Sequence, residues 1–352
     1  MRTFSLAAVA ALLASASAGT VIWDGRFNDL SSATDLNNWS WSNQAGPYQY
    51  YIHGSGPVTE YVNLSPSYKN PADAASKQGA KITLTNTAYW NGQNMRRTEL
   101  IPQTTAGINQ GKVWYHFSMM TSGTNYPSVY REHQINFFES HFTEMKSGWI
   151  SGEAATSNPN LQWMVGGVSK WSTNFTAGVW HNVAYEIDFS ANTVGFWHST
   201  GSDPLKLTVS PVSASTSSNG ADWHLGVLEL PRSGYSDSNE DFYFSGVYVE
   251  SGSLTTTIGS GGELIGRWLL LLILGRSVQH RYDLGRFDHL QGAGHQHDFI
   301  RVRDGHGAWW LLRCEVGPVR RHQLDRLHRL CLGKHLHQVE RVLLPVSVDG
   351  RR

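Results

Sequence analysis

The chain has 352 residues with 28 Lys+Arg balanced by 28 Asp+Glu, room for one large domain with appendages or for two domains. That balance joins two unlike parts: residues 1–260 carry 13 Lys+Arg against 19 Asp+Glu, while residues 261–352 carry 15 against 9 and hold 9 of the 16 His. Both cysteines, Cys314 and Cys331, lie in the basic part, which excludes a disulfide scaffold for the main body; about 240 residues bury enough core without one.

The first 18 residues read as a secretory leader. Arg2 supplies the positive start, LAAVAALLA the short apolar stretch and ASA the small-residue cleavage site before Gly19. We therefore expect a secreted protein, and the acceptor patterns at Asn38, Asn63 and Asn174 are compatible with glycosylation on that route. From Val21 to about Ser251 short runs of Val, Ile, Tyr, Phe and Trp alternate with polar residues between Gly, Asn, Ser and Pro, which predicts an all-β domain. The clearest runs are AKITLTN (80–86), KVWYHFSMM (112–120), HNVAYEIDFSANTVGFWHS (181–199) and DFYFSGVYVES (241–251). The third predicts a hairpin turning at SAN. No helical period runs beyond two or three turns, and no 20–50-residue repeat is present. Many short antiparallel strands over some 230 residues predict a two-sheet sandwich or jelly roll.

Eleven of the 14 tryptophans fall in this body. Many must be core, but the number also suits sugar rings, whose C–H faces pack on aromatic planes. Two segments place charge inside apolar strands, which is costly unless the charge is paired or lines a cleft. In MRRTELIP (95–102) Arg97 and Glu99 project to one face, as residues two apart in a strand must. In REHQINFFESHFTEMKSG (131–148) Arg131, His133, Ile135, Phe137 and Glu139 share a face if the strand is regular. One reading is a structural Arg–Glu pair on a solvated face. The other sets Glu99 and Glu139 across a glycan cleft, because glycosidic cleavage needs one carboxyl to protonate the leaving oxygen and a second to activate water or attack the anomeric carbon. His133 and His224 are candidates to tune or orient these groups.

The segments IWDGRF, MRRTEL, HQINFFESHF, GVWHNVAYEIDF, WHLGVLELP and EDFYFSGVYVE, in this order, resemble glycoside hydrolase family 131, secreted fungal β-glucanases with a β-jelly-roll fold. The resemblance spans about Gly19 to Ser251 and sets a catalytic domain at 19–252. It implies hydrolysis of β-1,3-, β-1,6- and β-1,4-linked glucans with inversion, no metal and no other cofactor, and it places the catalytic carboxylates on Glu99 and Glu139. Arg97, Arg131, His133, Trp163, His224 and Tyr235 are the residues we expect around the substrate. The expected partner is a β-glucan, with no nucleic acid and no membrane, and the protein is expected to be a monomer. Two rivals share the fold. A jelly-roll polysaccharide lyase would bind a uronate through Arg97, Arg131 or Lys146 and use His133 or Tyr235 as base. A non-catalytic glycan-binding domain would keep the aromatics alone.

The tail opens with a Gly/Ser/Thr-rich stretch, then RWLLLLILGR (267–276), whose six-residue apolar core is far short of the ~20 residues that span a bilayer. The residues after Arg276 are rich in Arg and His and lack periodicity. A basic stretch of this kind is conventionally read as nucleic-acid binding. Reading the gene one base out of register fits the composition better: residues 253–313 become a linker, out of frame from about 262, and LLLLIL becomes poly-serine. Residues 314–352 then resemble a family 1 cellulose-binding module, with cysteine at the positions of Val319, Leu330, Leu336 and Val346. As written, the tail lacks those cysteines, and we expect it to be disordered.

Overall fold

A computed structural model describes residues 19–260 and, within the tail, two further strands. In chain order the strands of the main unit are β1 (Thr20–Asp24), β2 (Tyr48–Ile52), β3 (Val62–Ser65), β4 (Gly79–Leu84), β5 (Arg96–Pro102) and β6 (Lys112–Thr121). They continue as β7 (His133–Phe138), β8 (Thr143–Ser147), β9 (Asn160–Val165), β10 (Val168–Asn174) and β11 (His181–Asp188). The last are β12 (Thr193–Thr200), β13 (Lys206–Ser213), β14 (Trp223–Glu229) and β15 (Glu240–Ser251). Helical structure among the described residues of this unit is limited to one α-helical turn at Val58–Tyr61 and three short 3-10 turns.

The fold is the expected all-β antiparallel sandwich. One sheet runs β13-β12-β11-β6-β15-β4-β3, with β1 paired to the far half of β15; the other runs β10-β9-β8-β7-β14-β5-β2. Alternation puts one set of side chains between the sheets: Tyr115 and Phe117 of β6, Val183 and Tyr185 of β11, Leu161, Trp163 and Val165 of β9, and Trp223, Leu225 and Val227 of β14 all lie in one buried cluster. The residues between them face the other way. On the second sheet that outer face carries Arg97 and Glu99 of β5, His224 of β14, Lys146 of β8 and Gln162 of β9. The predicted hairpin is the β11–β12 pair, its turn closed by Asn192 in the left-handed region at φ 53°.

β7 departs from the regular strand read from the sequence. Asn136 has φ 47°, and the pairing of β7 with β14 shifts register between His224 and Val227. The flip is held by Asn136 Oδ1, which accepts from the Gly226 amide at 3.1 Å. Gly226 itself has φ 148° and passes so close to β5 that a Cβ there would lie 2.2 Å from the Thr98 carbonyl oxygen. His133 and Ile135 therefore point between the sheets, whereas Phe137 and Glu139 point out. The five residues expected on one face are divided between two.

The domain also ends later than the expected 252. Thr255 donates its amide and its hydroxyl to the Glu250 carboxylate at 2.6 and 2.8 Å, Arg26 donates to the Gly259 carbonyl at 3.1 Å, and Ile258 is buried with Ala184 and Leu205. Residues 253–260 are thus packed domain rather than linker. In the tail, β16 (Asp298–Arg303) and β17 (Trp309–Cys314) form an antiparallel hairpin where no structure was expected. The predicted leader, RWLLLLILGR and the module-like segment from 315 onward lie outside the described residues.

Candidate active site

The outer face of the β7–β14–β5 strip holds an unbroken chain of charge. Arg97 grips Glu99 along β5, Nε to Oε1 and Nη2 to Oε2, both at 2.7 Å. This is the planar two-point pairing that a guanidinium makes with a carboxylate. Glu99 is fully buried. Its Oε2 also accepts from Nδ1 of His224 at 2.5 Å, and Nε2 of the same imidazole lies 3.3 Å from Oε2 of Glu139. Glu139, immediately after β7, is anchored by its amide to the Asp222 carbonyl at 2.9 Å and leaves 66% of its side chain exposed. The imidazole stacks on Phe137, with centroids 4.6 Å apart and planes 13° apart, and Phe137 stacks in turn on His141.

The electrostatics follow from this layout. Burial disfavours charge on His224, but its hydrogen bonds and charge interactions with Glu139 and Glu99 outweigh burial and raise its pKa above the ordinary histidine value. The His224 hydrogen bond, against the cost of burial, holds Glu139 below the usual carboxylate range. His224 thus sits between the two carboxylates, hydrogen-bonded to Glu99 and in ion-pair range of Glu139. The 2.5 Å and 3.3 Å contacts on opposite nitrogens of one ring keep the facing oxygens no more than about 8 Å apart, below the ~9.5 Å upper limit for two carboxyl groups that share a water.

An aromatic shelf adjoins Arg97. Its guanidinium lies 5.3 Å from the centre of the Trp90 ring, Trp90 meets Tyr51 at 5.9 Å, and Tyr51 meets Trp41 and Trp39 at 5.0 and 5.7 Å. Trp39 Nε1 donates to Gln103, which fixes its ring, while Trp41 is 72% exposed. Burial raises the Tyr51 phenol, with Glu99 and Glu139 adding to the effect and Arg97 opposing it, so the ring feels both carboxylates.

The whole domain matches a family model, the glycoside hydrolase 131 catalytic N-terminal domain, over residues 21–255. The chain belongs to glycoside hydrolase family 131. It is 74% identical to a GH131 beta-glucanase catalytic domain from Podospora anserina, with a TM-score of 0.68 over 68% of this chain and 100% of that one. It is 50% identical to the catalytic domain of the glycoside hydrolase family 131 protein from Coprinopsis cinerea, with a TM-score of 0.65 over 69% of this chain and 100% of that one. No curated protein matches at a significant level.

Within this family 131 domain the structure brings together Arg97, Glu99, Glu139 and His224, and it separates the other candidates. His133 lies between the sheets, where Nε2 donates to Glu240 Oε2 at 2.5 Å and approaches Glu229 Oε2 at 3.3 Å. Arg131 joins the same buried network through Glu229 Oε1 at 2.9 Å and through Asp237. The Asn136 flip is what turns both away from Glu139. Trp163 is core, stacked on Phe196 with its indole N–H donating to Thr143 at 2.8 Å, because it alternates in phase with Leu161 and Val165. Tyr235 sits in the loop after β14, stacked on Tyr130 and on the Arg232 guanidinium, and touches none of the four grouped residues. Lys146 is engaged by Glu132 at 2.5 Å. The cations and bases that a lyase would use are thus scattered.

Among the described residues one grouping, His133, Glu229 and Glu240, has ligand atoms close enough for a metal ion. Arg96 reaches Glu229 Oε2 at 2.5 Å and Glu240 Oε1 at 3.3 Å, and Arg131 adds a second guanidinium. A donor set already neutralised by two cations and an imidazole fits an ion-pair network between the sheets, not a cation site. The sequence reading missed Trp39, Trp41, Tyr51, Trp90 and Phe137. The W-S-W cluster of 39–41, which the Ser40–Asn43 turn brings together with ring centres 5.0 Å apart, was an available signal for two of them.

Proposed function

We propose that this domain hydrolyses β-glucan, with Glu139 and Glu99 as the acid/base pair and inversion at the anomeric carbon. The observation that carries the reading is the single imidazole lying between the two carboxylates, which keeps their oxygens within about 8 Å on a face flanked by aromatic rings. The Podospora anserina relative is a beta-glucanase, which supports the same substrate class.

Glu139 is the carboxylate open to a sugar, and His224 beside it is placed to hand on the proton that the leaving oxygen needs. Glu99 is covered by His224, so acting as base requires the ring to move off Oε2 and a water to take its place. Arg97 holds the Glu99 carboxylate in position meanwhile. The shelf of Trp41, Tyr51 and Trp90 offers ring faces for adjoining glucose units. Secretion through the N-terminal leader belongs to the same proposal, as does a natural tail encoding a linker and cellulose-binding module; sequencing the transcript across codons 255–275 tests the latter.

The test is release of reducing ends from laminarin and cello-oligosaccharides by wild type, Glu139→Gln and Glu99→Gln, with proton NMR of the anomer first formed. Each variant should lose about 10²–10⁴-fold in turnover, the first anomer should be α, and no unsaturated ultraviolet-absorbing end should form. Wild-type turnover in either variant overturns the pairing.

A further inference from the structure

We propose that His141 is a substrate-binding residue: its free ring nitrogen hydrogen-bonds a hydroxyl of the sugar on the β8 side of Glu139, and Glu144 positions the ring. The inference rests on the reading of the outer face as a glucan-hydrolysing site. It gives that site a second flank, opposite the Trp41–Tyr51–Trp90 shelf.

The turn after β7 presents this ring. The His141 amide donates to the Phe138 carbonyl at 2.7 Å, and the residue has φ 51°. A side chain is costly in that left-handed region, and positions that bear the cost cluster where the side chain is used. The imidazole lies flat on Phe137, with centroids 5.2 Å apart and planes 4° apart, and Phe137 is also stacked on His224. Nδ1 of His141 lies 3.1 Å from Oε2 of Glu144, whose side chain is only 1% exposed. The other Glu144 oxygen lies 3.6 Å from the Lys146 ammonium, which holds the carboxylate from its far side.

The order of the strands sets His141 on the opposite side of the site from the shelf. β8, β7, β14, β5 and β2 are successive neighbours, and they carry Glu144, Phe137, His224, Glu99 and Tyr51 in that order. His224 pairs directly opposite Phe137, and Glu99 opposite Ile52, the neighbour of Tyr51. The shelf therefore lies on the β2 side of the carboxylate pair, and His141, bonded to Glu144, lies on the β8 side. Glu139 is close enough to feel it: its pKa, lowered first by the His224 hydrogen bond against burial, is lowered further by a smaller contribution from His141.

The chemistry of the ring selects the ligand group. Facing a carboxylate, which only accepts, Nδ1 is the nitrogen that carries the proton. Nε2 is left over: among the described residues none hydrogen-bonds it, and 41% of the side chain is exposed. His224, by contrast, has both nitrogens turned to the glutamates. A neutral His141 would accept at Nε2 and a protonated one would donate, and a sugar hydroxyl can meet either. Phe137 and Glu144 hold the ring in advance, so the contact costs little further ordering.

The experiment compares kcat and KM on a linear six-unit β-glucan oligosaccharide in wild type, His141→Asn and His141→Gln. Asparagine tolerates the left-handed backbone and can still donate to Glu144, but it ends short of the Nε2 position, which the longer glutamine amide reaches. His141→Asn should raise KM about tenfold, the worth of one hydrogen bond, with much the smaller change in kcat, and His141→Gln should recover part of that loss. An unchanged KM in His141→Asn, or an equal loss in both variants, overturns the hydroxyl contact. Should the asparagine variant not fold, His141→Phe, which keeps a ring on Phe137 and removes the nitrogens, takes its place with the same expected rise in KM. If wild type releases no reducing ends, the hydrolase reading itself has failed. Calorimetric titration of the same oligosaccharide then decides: weaker binding by His141→Asn than by wild type and His141→Gln supports the contact, and equal binding rejects it.

Discussion

Arg97 and Glu99, two residues apart on one strand, clasp each other through two parallel 2.7 Å hydrogen bonds beside the His224 ring that reaches Glu139. A lysine cannot reproduce that two-point geometry. Arg97→Ala should destabilise the domain by about 3–5 kcal/mol, because it strands a buried carboxylate. Arg97→Lys should recover part of that stability while turnover stays well below wild type. Thermal unfolding alongside reducing-end release separates the two effects; full activity in Arg97→Lys would show that the two-point grip is dispensable.

His224 should carry the upper limb of the pH–rate profile. Its proton is retained above the ordinary histidine range by Glu139 and Glu99 despite burial, so activity should persist as pH rises through 6.5 and fall only above it. In Glu139→Gln one of those carboxylates is gone, and the imidazole should titrate at lower pH than in wild type. NMR titration of the His224 ring reads this directly. His224→Asn should lower turnover about 10²-fold.

The left-handed backbone at Asn136 makes a third case. Glycine adopts φ 47° without steric cost but cannot accept from the Gly226 amide, whereas valine meets both losses. Asn136→Gly should be mildly destabilising and Asn136→Val costlier by a further ~1–3 kcal/mol. Calorimetric unfolding gives the order, and an equal effect from both would deny the backbone a part in it.

Stability should peak in mildly acidic solution. Burial opposes the charge on His133, but Glu240 and Glu229 raise its pKa to about 10, so its contribution is complete below the unfolded value near 6.5 and fades as pH climbs toward 10. Glu229 is lowered to about 2, chiefly by His133 and Arg96 against burial; its contribution is complete above about 4.3 and is lost as pH falls toward 2. His181 and His198, lowered by burial to about 4 and about 3, act in the same direction on the acid side, since the unfolded chain takes up their protons first as pH drops below 6.5. Melting temperatures between pH 3 and 10 should therefore be highest near pH 6. His133→Gln should flatten the alkaline decline.

A chain cut after Ser260 should fold as well as the full-length protein. One cut after Gly252 should lose about 2–4 kcal/mol, for it leaves Glu250 without Thr255, Arg26 without the Gly259 carbonyl and the Ala184–Leu205 pocket without Ile258. Urea unfolding of the two truncations measures the difference.

Much of this was legible before any coordinates. Period-two alternation in AKITLTN and KVWYHFSMM marked strands that are present, and the RRTEL spacing put Arg97 and Glu99 on one face, as found. Alternation alone could not say which face of a strand meets the core, so Trp163 looked as suitable for sugar as Trp41. Nor could it register a one-residue flip, and His133 and Arg131 were assigned to the wrong side for that reason. His224 was named as a residue that tunes or orients the glutamates but not as lying between them, because a bridge between β5 and the end of β7 depends on β14 lying between them, a long-range pairing that local patterning does not encode. The packing of 253–260 was hidden by its Ser/Thr/Gly composition, which reads as linker until Glu250 is seen to need those donors.

The flip at Asn136 gives β7 two employers. Upstream it delivers His133 to the ion-pair network that binds the two sheets, and downstream it delivers Glu139 to the outer face where we propose the sugar binds. A mutation that shifts the strand by one residue would turn both side chains to the opposite face, so on the proposed reading fold and chemistry would be lost together. Durability and chemistry are inherited together in this strand, and efforts to improve either are best begun elsewhere in the sheet.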